Sequence, residues 1–162
     1  MKANLYLIFT FIVISAIGCN NKQKSENGVK GPSVEQSIIP GVPAEVIQKL
    51  LDECTYIDYI FHTLPFSLSQ SEDPSIDQNI LFTDFNRPLG KIPSGCKPLA
   101  RKFFKIGGEF AYDVDVYFTN GCQFYVFVKG NKPLYANYMT QDGINFYNKM
   151  ISMVSAQSGQ AQ

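Results

Sequence analysis

A single histidine, His62, is present in the whole chain. A zinc site normally draws on several His or Cys ligands at set spacings, and no such group exists here. No CxxC pair occurs, so a thioredoxin-like redox role lacks its motif. HExxH, GxSxG and a phosphate-cradling glycine loop are missing as well. Basic and acidic side chains both number 14, which leaves no excess of positive charge to hold a nucleic acid. Neither a cofactor nor a metal site is indicated, and no catalytic residue is assigned. The residues that are present speak instead to an address and to a fold class.

The address lies in residues 1–19. Lys2 gives a short positive start, and Leu5–Ile17 is an uncharged apolar run. That run is too short for a membrane span and suits the apolar core of an export signal. It ends Ser15-Ala16-Ile17-Gly18-Cys19. Gly18-Cys19 resembles the end of a lipobox, and the stretch is similar to the signals of the bacterial lipoprotein family. Ala16 and Ile17 depart from the commoner residues of that motif. The resemblance covers the signal alone. It implies cleavage after residue 18, lipid on the Cys19 thiol and an acylated new N-terminus. Several acyl chains hold a protein to a bilayer where one does not.

Residues 19–40 are polar, with few apolar positions before Ile38, and read as a flexible tether. Some surface-exported lipoproteins carry an acidic run directly after the lipid cysteine. Asn20-Asn21-Lys22-Gln23-Lys24 carries none, so the expectation is a lipid-anchored protein of the bacterial cell envelope facing the periplasm. Residues 41–154 have the length of one domain, and 155–162 form a polar tail expected to be disordered.

Within the domain, Val42–His62 reads as a long helix. Pro43 suits its first turn, and Ile47, Leu50, Leu51, Cys54, Ile57 and Phe61 recur at helical spacing. Asp58 falls inside that stripe and does not fit it. Phe66–Gln70 and Ile76–Phe85 read as strands around a turn at 71–75, and 86–98 reads as a loop. Strands follow at Leu99–Ile106, on both sides of Asn120-Gly121, and at Leu134–Met139 as an edge. Gln141–Val154 closes the domain as a helix capped by Thr140 or Asp142. The resulting fold is α+β: an antiparallel meander of about five to six strands on one long N-terminal helix, with a second C-terminal helix.

Register follows from which rows are apolar. A three-residue connection, Thr119-Asn120-Gly121, pairs Phe118 with Cys122 and Val114 with Val126. It sets Phe110, Val114, Phe124 and Val126 on one inward face, whereas a two-residue connection mixes the rows. Upstream, a loop at 107–109 pairs Phe104 with Tyr112 and sets Arg101 opposite Asp115. Lys102 then lands in the apolar row, where it snorkels unless the strand begins after it.

The outward face would carry Arg101, Phe103, Asp113, Asp115, Tyr117, Tyr125 and Phe127. Exposed aromatics beside arginine suit an interface, so this is the candidate binding face. Its expected partner is an envelope protein or a small ligand. Asp113 and Asp115 lie about 7 Å apart along a strand, a distance open to a glycosidase pair or a cation. Cross-strand pairing with Arg101 and Lys105 is the simpler reading. The run Lys91–Lys105 holds five bases and no acid, and its charges are expected to be balanced by the next strand. Asp58 and Lys102, both on core-facing rows, would pair with each other. A second reading is a small hydrolase or ligand carrier with Asp58, and with it His62, in a pocket between helix and sheet. Cys54 and His62 would lie about 12 Å apart on one helix, too far to act as a nucleophile pair.

Besides Cys19 there are three cysteines, so at most one bridge forms within the chain. Cys96–Cys122 is the leading pairing, with Cys54–Cys96 and Cys54–Cys122 also open. The anchor has its own test. A Cys19→Ala variant is expected in the soluble fraction of lysed cells, and its recovery with membranes would contradict lipidation at that residue.

Overall fold

A computed structural model describes residues 38–63, 66–71, 73–119 and 121–158. Cys19, the signal and the tether up to residue 37 lie outside the described residues. Helix α1 spans Ala44–Glu53, with Pro43 before it in an extended conformation and Glu45 in its first turn. It buries Ile47 and Leu50. It does not reach His62. At Cys54 the backbone turns extended, and Cys54–Phe61 is strand β1. The helical stripe was equally a period-two strand: Ile57, Tyr59 and Phe61 are buried, while Asp58 and Ile60 point the other way. Aromatic and β-branched residues crowd 55–61, and that composition favours the strand. Asp58 is no misfit once it projects from the opposite face.

Strand β2 is Ser67–Gln70, helix α2 is Asp73–Leu81 and strand β3 is Thr83–Pro88. The expected strand over 76–85 is therefore mostly helix. Pro74 sits in its first turn, and Ile76 and Ile80, four residues apart, are both buried. Strands β4 (Ala100–Ile106), β5 (Glu109–Thr119), β6 (Cys122–Lys129) and β7 (Lys132–Met139) follow, then helix α3 (Gln141–Ser158). The sheet is antiparallel and seven-stranded, in the order β2-β1-β4-β5-β6-β7-β3. β7 is thus interior, and β2 and β3 are the edges. α3 continues four residues past Val154, into the stretch expected to be tail. None of the described helices is long and apolar enough to cross a membrane.

β4 and β5 pair as expected along most of their length, with Arg101 opposite Asp115 and Phe104 opposite Tyr112. The connection is shorter than expected. Gly107 and Gly108 alone form the turn, both at positive φ, and a register shift between Phe104 and Lys105 absorbs the difference. The β5–β6 register is corrected outright. Thr119 pairs with Cys122, Phe118 with Gln123, Val116 with Tyr125 and Val114 with Phe127. Two residues, 120 and 121, connect the strands, and Gly121 has φ 78°.

The reason is that the centre of the sheet is covered on both sides. α1, α2 and α3 cover the inner face, where Val114, Val116, Phe118, Tyr125 and Phe127 meet Leu50, Ile80 and Tyr147. A second cluster of Tyr117, Cys122, Phe124, Val126 and Ala136 lies on the outer face under Ile39, Leu89, Ile92 and Cys96. With both rows buried, alternation no longer marks which face looks inward.

Thr140 caps α3, its Oγ1 accepting from the Gly143 N–H at 3.3 Å. Gly143 lies against Phe82, and a Cβ added there would come 2.9 Å from the Phe82 Cβ. Gly143→Ala is therefore expected to destabilise the fold by about 1–2 kcal/mol in urea unfolding, although alanine is the better helix former. An unchanged or raised midpoint would show that α3 does not pack this closely.

Candidate functional site

The outer face divides into a covered half and an open half. Over β5, β6 and β7 the segment 89–99 acts as a flap. Cys96 and Cys122 form a disulfide that fastens it, and the Ile39 N–H donates to the Gly90 carbonyl at 2.7 Å to hold its start. Cys54 stays a free, buried thiol, raised above its ordinary pKa by burial. Beneath the flap Tyr117 stacks on Phe124 at 4.5 Å.

Over β1, β4 and the start of β5 nothing among the described residues covers the outer face. β1 presents Tyr56, Asp58 and Ile60, β4 presents Arg101, Phe103 and Lys105, and β5 presents Phe110, Asp113 and Asp115. Ile60 is 54% exposed and Phe110 65%. Phe103 meets Phe110 edge to face at 5.5 Å. Arg101, Lys105, Asp58 and Asp115 are paired within the face. Arg101 donates from Nε and Nη2 to the two carboxylate oxygens of Asp115, at 2.7 and 3.1 Å. A third donor, Nη1, reaches the Asn131 side-chain oxygen at 3.2 Å. Lys105 Nζ lies 2.7 Å from Asp58, and Ser69 donates to the same carboxylate at 2.6 Å. Burial works to raise the Asp58 carboxyl, but the hydrogen bonds from Lys105 and Ser69 outweigh it and hold the group below its ordinary value. The Lys105 ammonium also sits 4.9 Å over the rings of Tyr56 and Phe110.

Of the seven residues expected to share a binding face, four do: Arg101, Phe103, Asp113 and Asp115. Tyr117 is on the same face but lies under the flap. Tyr125 and Phe127 are on the inner face, 0% and 2% exposed, because the shorter β5–β6 connection turns their row toward the helices. Phe110, expected inside, is outside. Tyr56 and Ile60 were missed altogether because their stretch was read as helix. Their position two residues either side of Asp58 was the available signal.

The expected Asp58–Lys102 pair does not form: Asp58 is on the outer face with Lys105, and Lys102 is on the inner face, 1% exposed. Nor does the strand begin after Lys102. The run 91–105 dissolves into separate roles, since Lys91 and Lys97 are exposed on the flap while Arg101 and Lys105 are paired. His62 is exposed just beyond β1. Eight strand residues separate it from Cys54, about 26 Å at strand rise rather than a helical 12 Å. Neither Asp58 nor His62 enters the layer between helices and sheet. A partly open cleft of about 580 Å³ lies at one end of β5, β6 and β7, lined by Lys49, Tyr112, Asp113, Lys129 and Tyr135 among others. No group of His, Cys, Asp and Glu among the described residues is arranged to hold a metal ion.

Comparison of the chain with protein-family models, with curated proteins and with solved structures finds no match. What the structure defines is a class: an α+β domain whose sheet is buried on one face and half open on the other.

The bridge spans 26 positions in sequence, and closing a loop of that size contributes roughly 3 kcal/mol. Replacing both Cys96 and Cys122 by serine is expected to lower the unfolding free energy by about that amount and to expose Tyr117 to solvent. Unfolding at the same denaturant concentration with and without the bridge would show that the flap is held by its apolar contacts alone.

Proposed function

We propose that this chain is a lipid-anchored module of the bacterial envelope that acts by binding, and that its contact surface is the open half of the outer sheet face. The observation that carries this reading is the exposed Phe110 packed edge to face on Phe103, with exposed Ile60 two residues further along the same open face. Large apolar side chains grouped in this way mark interaction surfaces more often than scattered ones do. The support for the anchor is the lipobox-like ending at Gly18-Cys19 and the polar composition that follows it, which suits a tether; residues 39 and 40, expected to belong to that tether, are instead bonded to the domain, Ile39 to Gly90 and Pro40 to Ala136. The lack of an acidic run after Cys19 is what supports a periplasm-facing orientation.

The charges on this face favour a protein partner without strong net charge. Arg101 and Lys105 already have carboxylate partners, so an incoming anion would have to compete for them. Their part is to set register and to keep the apolar patch soluble, while Phe103, Phe110 and Ile60 supply the contact. The hydrolase or carrier reading has less support, because Asp58 and His62 lie apart from the cleft.

Phe103→Ala combined with Phe110→Ala is the direct test. Each side chain is at least partly exposed, so the thermal midpoint should stay near the wild-type value. Loss of a central aromatic anchor costs about 2 kcal/mol or more, so binding of co-purifying envelope proteins should fall at least roughly 30-fold. Unchanged retention by a folded double variant would place the contact surface elsewhere.

A further inference from the structure

We propose that Lys102 is a proton-sensitive latch that fastens α2 to the sheet, and that this attachment loosens as the amine gains its proton. The amine is enclosed. Lys102 is 1% exposed, and its Nζ donates to the Asn79 side-chain oxygen on α2 at 3.1 Å. Asn79 donates in turn to the Gln70 side-chain oxygen at 3.1 Å, which also accepts from the Tyr59 hydroxyl at 2.9 Å. This chain of bonds joins β4, α2, β2 and β1, running from the buried Lys102 and Asn79 to the half-buried Gln70.

A protonated lysine has three donors and needs anionic or several neutral acceptors. Here it has one neutral acceptor. Its remaining surroundings are the ring faces of Tyr125, at 4.0 Å, and Phe104, at 4.8 Å. No ion pair among the described residues includes Lys102. The ionisable groups around it are Tyr59 from β1, Tyr125 from β6, Tyr147 from α3 and the Cys54 thiol where α1 meets β1. Burial raises all four, so they are neutral near pH 7 and supply no counter-charge. Asp77 of α2 is exposed, and its charge acts on Cys54. Two ring contacts and one amide do not replace the water that a buried ammonium loses. Burial accordingly pushes the Lys102 amine down from 10.5 to about 7.

The sign of the pH effect follows. With α2 docked, the amine releases its proton above about 7; with α2 lifted and the amine in water, it holds the proton up to about 10.5. Between those values only the open form carries the proton. Opening therefore becomes about tenfold more favourable for each unit of pH lost, and the effect levels off below about 7. α2 is held most tightly in alkaline solution. Near neutrality and below, its apolar Ile76 and Ile80 face comes free of the sheet more often.

The test is hydrogen exchange on the full chain at pH 7 and pH 9, corrected for intrinsic rates, with β5 amides reporting global unfolding. In the wild type the opening constant of Asp73–Leu81 should be about 50-fold larger at pH 7, where the docked amine is itself half protonated, than at pH 9, and should exceed that of β5. In Lys102→Met it should be the same at both values. Equal opening constants for α2 and β5, no change with pH, or a change that persists in Lys102→Met would each overturn the latch. Titration of the wild-type Lys102 side chain by carbon NMR stands independently of the variant. A midpoint near 7 supports the proposal, and an ordinary lysine midpoint contradicts it.

Discussion

Everything in this fold depends on the register between β5 and β6. Because Thr119 pairs with Cys122, Val114, Val116 and Phe118 share a face with Tyr125 and Phe127. A shift of one residue would send Tyr125 and Phe127 outward and bring Phe124 and Val126 beneath the helices. The neighbouring strands inherit the choice. It decides which residues meet α1, α2 and α3, which lie under the flap and which remain open to a partner. Gly121 permits the short connection, but burial of both rows makes the register worth holding.

Burial on both sides also explains which parts of the structure were legible in the sequence. The β4–β5 pairing could be read because charge and apolar matching agreed: Arg101 opposite Asp115, Phe104 opposite Tyr112. The Thr140 cap was one of two local options, and Cys96–Cys122 was the leading one of three pairings among which the sequence itself does not choose. The β5–β6 register could not be read. Its two rows are both apolar, and the flap that buries the second row comes from a proline- and glycine-rich stretch that resembles an ordinary loop. Residues 54–61 satisfied a helical and a strand period at once, and only the aromatic and β-branched content separated them. The candidate face was half legible for the same reasons. Its β4 and β5 members were found, while Tyr56, Ile60 and Phe110 waited on the correct strand and register.

The two faces treat charge differently. Outside, each of Arg101 and Lys105 has its carboxylate; the two bases stay partly hydrated, Asp115 is itself buried, and the pairs fix side-chain geometry around the exposed rings. Inside, Lys102 has no carboxylate partner among the described residues and is wholly enclosed. The proposed latch would make the inner face conditionally stable at one point, next to α2, whereas the charges of the outer face that form ion pairs do so within that face. The Cys96–Cys122 bridge separates covered from open surface on that outer face.

Hydroxyl-radical footprinting with residue-level mass spectrometry tests the facial assignment most directly. Phe103 and Phe110 should be oxidised readily in the folded protein, while Tyr125 and Phe127 should be protected until it unfolds. Ready oxidation of Tyr125 and Phe127 with protection of Phe110 would mean that β5 and β6 pair one residue out of the register described, and that the open face is made of different residues.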